Sequence, residues 1–462
     1  MTDGTRRTSN EVMVSLLAFS LIATPGLAAQ GQVFDITEFG ASAAAGDDTA
    51  AIQAAFDKAK ANPGSTVKIP AGTFEGNGLF LWSNTTLEGV GPSSIIRTSD
   101  GGMGAMITVN PVTGAGATAR LAEKQVKIQN LTLMGNTAKE GYRQHTDLLR
   151  FFGVETSTVS KVRFVGFRGD GLYIGDGLAD KGVIRHNKDL IIEDCEFDGV
   201  NKQNRNGITV GDGENVIIRR CKFTRTTSDK SPGTIDIEQN KNDYHIAQNI
   251  QILDCDFNDN GGTGIVVDVA TPQREMKRPM NTLIFKRNKI RNQQRRGILL
   301  NQFSEFDATA AQSGVIVQDN VIEKTPIPIA IEGIQGIDIV GNTIRDTERG
   351  IMVGFGKKGR GTQNINIRNN TFERVGSDPK LGGAAVIILN ALNVNVEGNT
   401  IGDLVGADPV VVLFAAASGG SRSGGVKISG NQQALAFRGK APAKFRVGKY
   451  VEIDQKTIKV ID

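Results

Sequence analysis

Gly207-Ile-Thr-Val210 and, a little further on, Cys221-Lys-Phe223 are the two phrases whose repetition decides the fold. The first recurs as Gly171-Leu-Tyr-Ile174, Thr234-Ile-Asp-Ile237, Gly264-Ile-Val-Val267 and Gly297-Ile-Leu-Leu300. The second recurs with cysteine or asparagine in front and a large apolar residue behind: Cys195-Glu-Phe197, Cys255-Asp-Phe257, Asn288-Lys-Ile290, Asn320-Val-Ile322, Asn342-Thr-Ile344, Asn370-Thr-Phe372 and Asn399-Thr-Ile401. Intervals of about 22 to 34 residues are the period of a solenoid coil, not of a bundle or a sandwich. One coil cannot bury its apolar face alone, so coils must stack.

Residues two apart in a strand share a face. Leu172, Ile208, Ile235, Ile265 and Ile298 therefore form one inward column, and Ile174, Val210, Ile237, Val267 and Leu300 a second. Helical periodicity is almost absent after residue 62. The expected fold is all-β, a single-stranded right-handed parallel β-helix of two or three short strands per coil. With 56 glycines, 13 prolines and turn residues spread evenly, one solenoid over 101–433 accounts for a length that would otherwise suggest several globular domains.

The ends depart from the repeat. Arg6 and Arg7 precede an apolar run from Val12 to Ala23 and a small-residue end at Gly26-Leu-Ala28, which predicts an export signal over 1–29 and a secreted or periplasmic protein. No segment reaches the roughly 18 apolar residues of a membrane span, so membrane insertion is not expected. Residues 30–100 read as a cap and first coils. Asp48 to Ala61 form an amphipathic helix with Ala51, Ile52, Ala55, Phe56 and Ala59 on one face, followed by strands at Thr66 to Pro70 and Gly78 to Trp82. The tail 434–462, with Tyr450-Val-Glu-Ile453 and Ile458-Lys-Val460, is expected to cover the other end.

Cys195, Cys221 and Cys255 occupy one equivalent position of consecutive coils, which asparagine takes over later. That register predicts a buried stack of small side chains passing into an asparagine ladder. Adjacent coils lie about 4.8 Å apart, inside the disulfide window, so one bond stays open as an alternative. His145, His186 and His245 show no zinc-ligand spacing with the cysteines.

The opening FDITEFGASAAAGDDTAAIQAAFDKAKANPGSTVKIPAGTF, beginning at Phe34, resembles the N-terminus of the pectate-lyase-like superfamily. That grouping includes rhamnogalacturonases, polygalacturonase relatives, mannuronan epimerases and phage tailspike depolymerases. The resemblance implies a polysaccharide partner lying along the outer face of one parallel sheet. It implies no single reaction, because such members share a scaffold and differ in chemistry. The polygalacturonase set NTD, GDD, GHG and RIK is not present in order, nor is the DPHE phrase of the epimerases, so no catalytic set transfers residue by residue.

Outward residues on that sheet form two columns. One reads Tyr173, Thr209, Asp236, Val266 and Leu299; the next reads Gly175, Gly211, Glu238, Asp268 and Asn301, then Glu332 and Gly354. Asp236 and Glu238, about 6.5 to 7 Å apart at Cβ, suit the carboxylate pair of an inverting glycosidase. Asp268, beside Glu238 on the next coil, would raise one pKa and supply the acid. Asp236, Glu238 and Asp268 are thus the candidate catalytic residues, with Tyr173, Lys202, Arg205, Tyr244, His245, Arg295 and Arg296 as candidate substrate-binding residues.

Two other readings use the same residues. Glu238, Asp268 and Asn301 oxygens could hold Ca²⁺, which a lyase or epimerase uses to neutralise a uronate while Tyr244 or His245 acts as base. An acidic ladder relieved by lysine and arginine needs no function at all. A non-catalytic glycan-binding or structural solenoid is the corresponding third class. A net charge of +4, with basic stretches at 272–279 and 356–361, would attract acidic glycans. Nucleic acid is not expected as a partner, because aromatic residues are scarce and no reading motif accompanies the charge.

Overall fold

A computed structural model describes residues 31–44, 46–110, 123–175, 178–180, 183–239, 245–269, 280–302, 313–354, 362–379, 381, 383–406, 408–415, 423–434, 442–447 and 458–461. Each coil lays down one strand in each of three long sheets. Lys188–Glu193 belongs to the first, Glu196–Asp198 to the second and Ile208–Val210 to the third, and Gly213–Arg219 then returns to the first. Among the described residues these sheets hold 16, 13 and 13 strands, and every pairing within them is parallel; the antiparallel pair is a separate hairpin, Leu178–Asp180 with Val183–Arg185. The chain is a parallel β-helix.

The predicted inward columns are in register. Leu172 pairs with Ile208, Ile208 with Ile235, Ile235 with Ile265 and Ile265 with Ile298, and the second column follows in step. All ten side chains are buried. Opposite them, from the second sheet, Phe164, Phe197, Phe223 and Phe257 stack with centroids 4.5, 4.8 and 4.8 Å apart, a spacing set by the strand separation itself.

The bend between the first and second sheets explains the repeated phrase. The residue before each ladder position is left-handed: Asp194, Arg220, Asp254, Arg287, Asp319 and Asn369, with Gly341 and Gly398 in the same role. A single such residue turns the chain and points the next side chain inward. Cys195, Cys221 and Cys255 are buried free thiols, and no disulfide joins them. Asn288 begins the ladder: its Oδ1 accepts from the Cys255 N–H at 2.9 Å, and Asn320, Asn342, Asn370 and Asn399 repeat the pattern.

At the N-terminal end the helix Thr49–Lys60 buries Ile52, Ala55, Phe56 and Ala59 against the core and packs on the strand Leu79–Leu81. Asp48 does not cap it. Its carboxylate accepts from the Ser42 and Glu75 N–H groups at 2.8 and 3.1 Å, tying the helix start to the first coil. In the tail, Ala443–Val447 and Lys459–Ile461 pair in parallel with Val410–Phe414 and Lys427–Ser429, so there the chain continues the ladder that it was expected to leave. The export segment 1–29, Tyr450-Val-Glu-Ile453 and the basic stretches 272–279 and 356–361 lie outside the described residues. No helix among those described is long and apolar enough to cross a membrane.

Candidate functional site

The third sheet carries the two outward columns. Arg150, Tyr173, Thr209, Asp236, Val266 and Leu299 pair in succession, and beside them Glu238, Asp268, Asn301 and Glu332 do the same. Register therefore places the carboxylates as the alternation requires. Access to solvent separates them.

Asp236 corrects the expectation of an exposed acid or base, because it is fully buried. The turn before the strand Ile208–Val210 brings Arg205 and Asn206 over it. Asn206 Nδ2 donates to Asp236 Oδ2 at 3.2 Å, and Arg205 Nη2 stands 3.7 Å from the same oxygen. Oδ1 is buried with no hydrogen-bond partner among the described residues. Burial and the neighbouring Glu238 push its pKa well above the usual carboxylate range, which Arg205 only partly offsets. Burial thus holds Asp236 toward its neutral form and keeps any sugar from reaching it.

Arg205 was expected to bind substrate and instead closes an ion network. Its Nη1 donates to Asp170 Oδ2 at 2.9 Å and Thr209 Oγ1 at 2.8 Å, while Nη2 donates to Glu238 Oε2 at 2.6 Å. Burial works against its charge, and Asp170, Asp236 and Glu238 more than compensate, so its pKa is raised. Asp170 is itself wholly buried and pushed up to about 6 by desolvation, with Arg205 opposing.

An open cleft of about 350 Å³ lies one coil further on, where Glu238, Asp268 and Asn301 meet Lys230, Arg295 and Arg296. Asp268 is 5% exposed and its pKa is pushed up to about 6. Burial is the main cause; Glu238 and Glu332 add to it, while the Asn301 amide, donating to Oδ1 at 2.8 Å, and Arg296 oppose it. Glu332 is half-buried and also raised by desolvation, with Arg296 opposing. Arg296 is lowered by burial and by Arg295 beside it. A larger hollow of about 470 Å³ sits at the C-terminal end beside Ile401, Asn431 and Lys444, but none of its described lining residues is acidic.

Other candidates lie elsewhere. Lys202 pairs with Asp259 Oδ1 at 2.5 Å and is not among the described residues that line the cleft. His245 is 2% exposed, with its carbonyl accepting from Gln239 Nε2 at 3.3 Å; such burial is incompatible with the role of an open-groove base. Tyr244 lies outside the described residues. Tyr173 is on the correct face, three coils before Asp268, packed edge-on to Phe152. At the three residues weighed for calcium, Asn301 turns its amide nitrogen to Asp268 and Arg205 holds Glu238. Among the described residues no group of three or more His, Cys, Asp or Glu is arranged to hold a metal.

Sequence reasoning placed Glu332 in the column without assigning it a role; counting coils would have put it two strands from Asp268. Asp170 and Asn206 carried no periodic signal, since both lie in turns. His186 Nδ1 is bonded to buried Asp212 Oδ1 at 2.8 Å, a pairing across 26 residues that spacing does not reveal.

A family model described as right handed beta helix region matches residues 112–308 and 275–438. No curated protein matches the sequence. Among solved structures, the A-module of a mannuronan C-5 epimerase from Azotobacter vinelandii is 17% identical with a TM-score of 0.57, over 92% of this chain and 99% of that one. A hyperthermoactive exopolygalacturonase from Thermotoga maritima is 12% identical with a TM-score of 0.55, over 79% and 91%. PfbA, a surface adhesin of Streptococcus pneumoniae, is 14% identical with a TM-score of 0.54, over 91% and 93%. At these identities the likeness is one of fold.

Proposed function

Because the chain belongs to the family of right-handed β-helix proteins, and because its third sheet opens a cleft around a carboxyl group of raised pKa, we propose that it is an exported enzyme that hydrolyses a polysaccharide bearing uronate groups. The observation that carries this reading is Asp268. With a pKa of about 6, it retains a transferable proton in mildly acidic solution, in a cleft edged by Arg295, Arg296 and Lys230 that suits an anionic sugar. Similar structures that include a mannuronan epimerase and an exopolygalacturonase support a glycan substrate.

The roles follow from spacing and charge. Asp268 donates its proton to the leaving glycosidic oxygen as the bond to the anomeric carbon breaks. Glu332 lies two coils away, roughly 9 to 10 Å along the sheet, near the outer limit of the separation that admits a water between acid and base. It takes the proton of the water that attacks the anomeric carbon, with inversion. Glu238 is one coil from Asp268 but is held by Arg205 at 2.6 Å, which makes it a poor nucleophile; its charge helps keep Asp268 protonated. The Arg295–Arg296 pair favours one second reading, β-elimination or epimerisation with these cations on the uronate.

The test is to incubate the mature protein with uronate polymers and follow reducing ends together with the absorbance of unsaturated uronates. The expected result is new reducing ends without new absorbance, at a rate that falls as pH rises through about 6 and Asp268 loses its proton. Asp268→Asn should lower turnover by about 10²- to 10⁴-fold. Both signals rising together would transfer the assignment to elimination. Binding without turnover would make the chain a glycan-binding solenoid.

A further inference from the structure

Upstream of the cleft, the buried carboxylate of Asp212 is arranged around a histidine that the hydrolytic reading does not use. Asp212 Oδ1 accepts from the Ile246 N–H at 2.9 Å and lies 2.8 Å from His186 Nδ1, while Oδ2 accepts from the Asn187 N–H at 3.3 Å. An ionised carboxylate can only accept, so Nδ1 carries the proton of this hydrogen bond, and Nε2 is the nitrogen that carries the lone pair in the uncharged ring. Asp212 is fully buried and the His186 side chain is 25% exposed, so the carboxylate fixes the ring at the boundary with solvent.

The turn that carries His186 is tied to the strand that carries Tyr173. Asn187 Nδ2 donates to the Gly175 carbonyl at 2.8 Å and the Asp212 carbonyl at 3.0 Å, pinning the histidine turn to the end of the strand Leu172–Ile174. Tyr173, in the middle of that strand, leans over Gly175: a Cβ there would stand 2.2 Å from the Tyr173 ring and 2.8 Å from Phe152. Only glycine leaves room for this ring position. The Arg150 guanidinium lies 5.9 Å from the Tyr173 centroid, with its Nε held by Asp147. Tyr173 shares the outer face with Asp268 and stands three coils, roughly 14 Å, before it.

We propose that Tyr173 and His186 form a sugar-binding subsite separate from the cleft, in which one ring of a bound uronate chain stacks on Tyr173 and donates a hydroxyl hydrogen to His186 Nε2. Asp212 is the positioning residue that fixes the tautomer. The subsite rests on the reading that a glycan lies along this face, and it adds where a long chain is gripped away from the bond that breaks.

Calorimetric titration with a uronate disaccharide and with a long uronate oligomer tests it independently of turnover. His186→Ala and Tyr173→Ala should each weaken binding of the long oligomer about tenfold and leave the disaccharide unaffected. His186→Gln, which restores an acceptor, should recover part of the loss. Unchanged oligomer affinity in both alanine variants, with wild-type circular dichroism, would overturn the subsite, as would a wild-type protein that binds no uronate oligomer. Length-dependent binding lost in the variants of a protein that cleaves nothing would sustain the subsite and reject hydrolysis.

Discussion

Asp236 and Glu238 stand two residues apart on one strand face, yet they have different fates: Arg205 and Asn206 arrive from the previous coil and bury Asp236 completely, whereas Glu238, though held by Arg205, keeps part of its side chain in solvent. The alternation of Thr234-Ile-Asp-Ile237 made the outward direction legible; the covering turn has no period and left no trace in the pattern. The consequence is measurable in stability. Asp236 is raised well above 3.8, chiefly by burial, so the native state holds its proton more tightly than the unfolded chain. Its contribution is fully present below about pH 4 and is lost as pH rises toward the folded pKa. Asp170, with a folded pKa of about 6, loses on the order of 3 kcal/mol over the same rise. Asp236→Asn keeps the shape, supplies an N–H where the acid needs a proton, and removes that site's dependence. Thermal unfolding should show the variant melting above wild type at pH 7, with the gap closing by pH 4. A lower melting point at pH 7 would mean that Asp236 is ionised and paired with Arg205.

The elements repeat more faithfully than the loops because each coil must offer the next the same surface. At the bend after the first sheet, every ladder asparagine uses both ends of its amide: Asn342 Oδ1 accepts from the Asn320 N–H and Nδ2 at 2.9 Å each, and its Nδ2 reaches the Val317 carbonyl at 2.8 Å and Asn370 Oδ1 at 2.9 Å. The thiols at the equivalent position make only longer contacts, such as Cys221 Sγ to the Arg219 carbonyl at 3.4 Å. This physical demand is what made Asn-x-Ile and Cys-x-Phe visible as a repeat. Asn342→Ala leaves buried partners on both neighbouring coils unpaired and should cost about 3 kcal/mol. Cys221→Ala, which removes one small buried group, should cost ~1 kcal/mol. Urea unfolding monitored by circular dichroism distinguishes them; equal midpoints would show that the ladder contributes no more than packing.

At the scale of the whole molecule, stacking coils converts sequence-distant residues into one continuous face. Glu238, Asp268, Asn301 and Glu332 come from four separate coils and are neighbours only because the register holds across all of them. Column membership was therefore readable, whereas the cleft was not, since Lys230, Arg295 and Arg296 come from turns whose lengths vary between coils. Those cations lie beside a net acidic ladder in a chain of formal charge +4, so attraction of an anionic polymer depends on a few local charges acting across water. Salt screens such charges over roughly 10 Å at 0.1 M and about 3 Å at 1 M, while the buried Asp268 is shielded from it. Steady-state kinetics on a uronate polymer should consequently show KM rising several-fold between low and high salt with kcat nearly constant. A neutral polymer of the same length should show no such rise. If kcat fell in parallel with binding, the cations would be acting on the bond-breaking step, and the elimination reading would gain what the hydrolytic one lost.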